Sequence, residues 1–99
     1  MKSTKSKKSK EFVVVRTLNA GVHCGYLISY KAGLVELRDA RRVWYWTQAN
    51  TLNELATKGP GMVGSKISEP IGKLILPSYI ELLFATTAAE ANLIQSRWG

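Results

Sequence analysis

The chain is poor in the residues from which small metal sites and disulfide frameworks are built: its 99 residues include one cysteine, Cys24, and one histidine, His23. A lone cysteine excludes an intramolecular disulfide, and the two residues together cannot supply the three or four ligands of a zinc site. Long apolar runs are also missing. The lysine-rich start gives way to Glu11 and then only the short run Phe12 to Val15, too little for the core of a secretion signal. Glu81 interrupts the apolar stretch nearer the C-terminus, so no run approaches the ~18 apolar residues that span a bilayer. The expected protein is soluble and cytoplasmic, with no membrane partner.

Catalytic signals are scarce too. Asp39, Glu54, Glu69 and Glu81 are scattered without the spacing of a metal site or a carboxylate pair, and there is no phosphate-binding glycine loop or serine elbow. His23 and Cys24 are adjacent, but neighbours on a strand point to opposite faces and cannot act as base and nucleophile for each other. The expected pair is a partly buried cysteine and an unrelated surface histidine. No enzyme activity and no cofactor are expected.

What is present is positive charge, unevenly placed. The formal charge of +7 includes five lysines, Lys2, Lys5, Lys7, Lys8 and Lys10, so the remainder has nine basic residues against all seven acidic ones. Residues 1–10 read as a disordered tail of Lys, Ser and Thr with nothing to bury, able to attract nucleic acid or another polyanion. Residues 11–99 read as one domain of only mild basicity, with 45% hydrophobic and 21% charged residues, ordinary for a globular fold.

Phe12 to Thr17 is rich in β-branched residues and predicts a strand, ended by the turn residues Asn19, Ala20 and Gly21. A second strand runs from Val22 to Tyr30, with a bend expected at Gly25. Lys31, Ala32 and Gly33 predict a three-residue hairpin loop with Gly33 in the left-handed conformation. In the third strand Val35 and Leu37 alternate with Glu36 and Arg38. Continued alternation would bury Asp39 and Arg41, so a bulge or break is expected near Asp39 and Ala40.

Thr51 to Lys58 predicts a short helix, with Thr51 and Glu54 as a capping box and Gly59 as the stop. Pro60 to Lys66 should be an exposed connection. Strands are expected at Lys73 to Leu76 and Tyr79 to Ala85, and Thr87 with Glu90 should open a C-terminal helix through about Ser96. The expected class is therefore α+β, mainly β: a small curled antiparallel sheet, or partial barrel, of about five strands with two short helices.

The run GYLIS followed by VELRDA resembles the bent hairpin of SH3-like and Sm-like small barrels. Taken in order, VVVRT, AGVHCGYLIS, VELRDARRVWYW, TLNELATKG and YIELL resemble a family of small tailed-phage and prophage proteins of unknown function. That resemblance covers roughly Phe12 to Phe84 and is most specific in DARRVWYW. It implies a phage origin and action inside the infected host cell, and it brings no catalytic residues.

The segment RRVWYW, Arg41 to Trp46, holds the candidate contact residues. Strand alternation divides it into Arg42, Trp44 and Trp46 on one face and Arg41, Val43 and Tyr45 on the other. If Val43 and Tyr45 face the core, two tryptophans and an arginine stand outside, where rings stack on bases and a guanidinium holds phosphate. If a bulge shifts the register, the tryptophans are core. Arg16 on a neighbouring strand could join either arginine.

Three functions follow as expectations. The first is a non-enzymatic binding module for a host protein or nucleic acid. The second is an oligomeric counter-defence sponge for a small signalling nucleotide, and the third is a minor virion protein contacting DNA. Uncovered edge strands would allow homo-oligomers in all three.

Overall fold

The computed structural model describes residues 11–18, 20–61, 64–77 and 79–96; residues 1–10, the expected tail, lie outside the described residues. Six strands form one antiparallel sheet: β1 (Phe12–Arg16), β2 (Val22–Lys31), β3 (Leu34–Tyr45), β4 (Lys66–Ile67), β5 (Ile71–Leu76) and β6 (Glu81–Phe84). Two helices accompany it, α1 (Leu52–Lys58) and α2 (Thr87–Gln95). The strand order is β4-β3-β2-β1-β6, with β5 also pairing to β3, and the sheet does not close into a barrel. The mainly-β class with two short helices is as expected, with one more strand than about five.

β1 lies between β2 and β6 and is apolar at four successive positions because both of its faces are covered. Val13 and Val15 enter one core with Leu27, Val35, Leu37 and Leu76. Phe12 and Val14 enter a second with Cys24, Val43, Leu55, Ile67 and Leu93, the face on which α1 and α2 lie. Full burial of one such aliphatic side chain contributes about 1.5–3 kcal/mol.

The change of core along β3 comes from a bulge. Cys24 pairs with Arg41 and Tyr26 with Arg38, leaving Gly25 opposite both Asp39 and Ala40, and Asp39 takes a φ of 51°. A Cβ at Gly25 would sit 3.0 Å from Ala40 Cα and 3.1 Å from Arg38 O, so the close approach of two backbones needs a glycine. The extra residue reverses the alternation. Val35 and Leu37 therefore face one core and Val43 the other.

Thr51 caps α1 by accepting from the Glu54 amide at 3.2 Å, and Gly59 ends it with a φ of 86°, both as expected. Three local expectations are corrected. The hairpin loop has two residues, Ala32 and Gly33, because Lys31 already pairs with Leu34; Gly33 is left-handed, with a φ of 73°. The cap of α2 is Thr86, one residue before the predicted Thr87, and it accepts from the Ala89 amide at 3.1 Å. In the connection after α1, expected to be exposed, the described residues Pro60, Gly61 and Ser65 are buried, Gly61 N–H donates to Thr47 O at 2.7 Å, and Lys66–Ile67 form β4; residues 62–63 lie outside the described residues.

Candidate functional site

The end of β3 sorts the RRVWYW side chains by register. Arg42 lies in a cross-strand row with His23 and Val15, and Arg41 in the next row with Cys24 and Val14, so the two arginines occupy opposite faces. Val43 is in the core, leaving Arg42 exposed as the first of the two alternatives required.

A second bulge follows. Val43 pairs with Ile67 and Tyr45 with Lys66, so Trp44 has no partner residue on β4. In an unbroken strand Trp44 and Tyr45 would point to opposite faces; here both are exposed, at 62% and 53%, with ring centroids 6.5 Å apart and planes tilted by 54°. Trp46 lies just past the strand and packs on the Val14 core, its Nε1 donating to Ala49 O at 3.1 Å. The tryptophans therefore divide, and the exposed group at this end of the sheet is Arg42, Trp44 and Tyr45, with Lys66 paired across from Tyr45. The sequence pattern put Tyr45 with Val43 and said nothing of Lys66, since neither the second bulge nor the β4 pairing has a local signal.

Arg42 is braced from below. Its Nη1 donates to Ala20 O at 3.1 Å, and His23 Nε2 lies 2.8 Å from the same carbonyl. A carbonyl only accepts, so Nε2 carries a proton. His23 is buried rather than a surface residue, and burial pulls its pKa below the ordinary value, aided by the Arg42 charge and opposed by the Ala20 hydrogen bond. Cys24 is buried as well, which pushes its thiol up to about 12 and removes it from nucleophilic chemistry near neutrality.

Arg41 is only 6% exposed. Its Nε donates to Ser68 O at 2.7 Å, its Nη1 to Leu93 O at 2.7 Å and Ile94 O at 2.6 Å, and its Nη2 to Ser96 O. Those last three carbonyls belong to the final turn of α2 and the residue after it, the negative end of the helix dipole. Arg41 thus holds α2 and the Ser68 turn against the sheet. Arg16 does not join either β3 arginine: β2 lies between β1 and β3, and Arg16 instead faces Glu81 across β6 at 3.8 Å. Lys2, Lys5, Lys7, Lys8 and Lys10 fall outside the described residues.

On the helix-bearing face there is a cleft of about 540 Å³ that no sequence pattern announced. Phe12, Tyr26 and Arg41 line it, with Asp39, Glu69 and Ile94. The Phe12 and Tyr26 rings meet edge to face, 5.0 Å apart. Tyr26 OH donates to Glu90 Oε2 at 3.0 Å, and Arg38 lies 4.8 Å from the Tyr26 ring centre. Partial burial and the bond to Glu90 raise the Tyr26 pKa.

Among the described residues no group of three or more His, Cys, Asp or Glu side chains is gathered to hold a metal, and no helix is long and apolar enough to cross a membrane. Fold and surface define a mainly-β domain built on one open antiparallel sheet, with a basic and aromatic end. The chain belongs to a family described as a domain of unknown function, DUF6948, whose model matches residues 10–93. No curated protein and no solved structure matches it.

Proposed function

We propose that this chain is a non-enzymatic binding module of phage type, acting in the cytoplasm of the infected cell, that engages nucleic acid through the end of β3. The observation that carries this reading is the exposure of Trp44 and Tyr45 side by side, next to Arg42. Exposed rings present π-faces on which bases stack, and an adjacent guanidinium provides a forked donor for phosphate. The five lysines of residues 1–10 add a sequence-independent attraction to the same polyanion. A nucleotide held in the Tyr26 cleft is less well supported, because Asp39 and Glu69 line it and repel phosphate.

Fluorescence anisotropy with a labelled single-stranded oligonucleotide at low salt tests the proposal. Trp44→Ala should weaken binding about tenfold, the loss of one stacked base. Removing residues 1–10 should lower both the affinity and its slope with salt. Binding that survives the tail deletion combined with Arg42→Ala and Trp44→Ala sinks the proposal. A chain that ignores oligonucleotides of any length at low salt, yet pulls down a host protein through Trp44, would replace nucleic acid by that protein.

A further inference from the structure

The Tyr26 cleft has the opposite chemistry from the end of β3 and lies on the opposite face of the sheet. Its floor is the Phe12 and Tyr26 ring pair, and Asp39 and Glu69 line it. Glu90 reaches the same ring through the Tyr26 hydroxyl.

In a chain with excess positive charge, the pairing of the acids is informative. Glu36, Glu54 and Glu81 each have a lysine or arginine within 4 Å: Lys73 at 3.3 Å, Lys58 at 3.4 Å and Arg16 at 3.8 Å. Asp39 has Arg38 at 3.1 Å. Among the described residues Glu11, Glu69 and Glu90 have no such partner; of these Glu69 lines the cleft and Glu90 bonds the Tyr26 hydroxyl at its floor. The Arg41 guanidinium does not neutralise them at salt-bridge range; it is turned to the carbonyls of Ser68, Leu93, Ile94 and Ser96. The Tyr26 ring already holds one cation, Arg38, against its π-system.

We infer that this cleft is a docking site for a basic side chain of a partner protein, a lysine whose aliphatic stem lies on Phe12, Tyr26 and Ile94 and whose ammonium meets Glu69 and Asp39. A volume of about 540 Å³ takes that side chain with a short length of its backbone. Long basic side chains bury their methylenes on apolar surface while the charged head stays at a polar rim, which matches an aromatic floor bordered by carboxylates. Charge complementarity selects lysine over a neutral residue of the same shape. The site does not depend on the nucleic-acid surface, and either stands if the other fails.

The test is a nuclear magnetic resonance titration of the full ¹⁵N-labelled chain with a capped Gly-Lys-Gly peptide, run beside the same peptide carrying norleucine, which keeps the stem and removes the charge. Saturable shifts are expected at the amides of Tyr26, Asp39, Glu69 and Ile94, with the norleucine peptide at least tenfold weaker. Glu69→Gln should weaken the lysine peptide several-fold while the rest of the spectrum stays in place, which separates loss of binding from loss of fold. Equal shifts from norleucine would overturn the inference, as would shifts elsewhere on the chain or no saturation by about 10 mM peptide. Cleft shifts produced without peptide by changing Lys7, Lys8 and Lys10 to Gln would give the cleft to the chain's own N-terminal segment and overturn a partner's lysine.

Discussion

Arg41 and Arg42 are neighbours in sequence and opposites in environment. Arg41 is buried under the last turn of α2, with four backbone carbonyls around its guanidinium, whereas Arg42 is exposed beside Trp44 and gives one bond to Ala20 O. The contrast extends to the surfaces they border. On Arg41's side lie the helices and the acidic, aromatic cleft; on Arg42's side lies the basic, aromatic end of β3. One residue of displacement along a strand separates a cation that holds the fold together from one available to a ligand.

The comparison can be broken most directly by removing each arginine. Arg41→Ala leaves four carbonyls without their charged donor and should cost about 3 kcal/mol, read from the midpoint of urea unfolding at neutral pH. Arg42→Ala should stay within about 0.5 kcal/mol. Arg41→Lys should recover only part of the loss, since one ammonium cannot reach the carbonyls spanned by a guanidinium fork. Equal costs for the two alanine variants would erase the distinction.

The next effect concerns the bulge that assigns Arg41 its face. Gly25→Val places a branched side chain against the Ala40 and Arg38 backbones and should cost about 2 kcal/mol. Gly72→Val on β5 has open space around its new Cβ and should be neutral to slightly favourable. If Gly25→Val unfolds no more easily than Gly72→Val, the close approach at the bulge does not set the register.

The smallest effect belongs to His23, in the Arg42 row. Its folded pKa lies below the ordinary 6.5, so the unfolded chain binds the proton more readily and stability falls as pH falls. The contribution should be complete above pH 6.5 and decline below it, through the folded value. His23→Gln should flatten that part of the stability profile between pH 5 and 7 in urea titrations. A wild-type profile already flat there would mean that His23 titrates as it does in the unfolded chain.

Much of the local architecture was legible because it is encoded by neighbours. The apolar run of β1, the alternation of Val35 and Leu37, the break at Asp39 and Ala40, and the Thr51 cap each follow from a few adjacent residues. The errors have a different origin. Thr86 and Thr87 are equally able to cap; Thr86 is chosen because its Oγ1 also donates to Thr57 O at 2.6 Å, joining α2 to α1. Gly61 reads as a loop residue, yet it is buried beside Thr47, whose carbonyl accepts its N–H at 2.7 Å. Of the candidate contact residues, Arg42 and Trp44 lie together on the surface, while Arg16, Arg41 and Trp46 are each drawn into contacts with Glu81, the α2 carbonyls and the Val14 core.

The sequence by itself determined that this is a mainly-β domain with two short helices, a tight hairpin between the second and third strands and a bulge in the third strand, because backbone propensity, alternation and capping act over a few residues. Only the tertiary structure decided which arginine is buried, which tryptophan is exposed, and that Phe12, Tyr26, Asp39 and Glu69 share one cleft. Those outcomes depend on partners far along the chain: the carbonyls ending α2, 52 to 55 positions beyond Arg41, and the pairing of Tyr45 with Lys66 in β4. No pattern within a strand records which carbonyl or strand will arrive beside it.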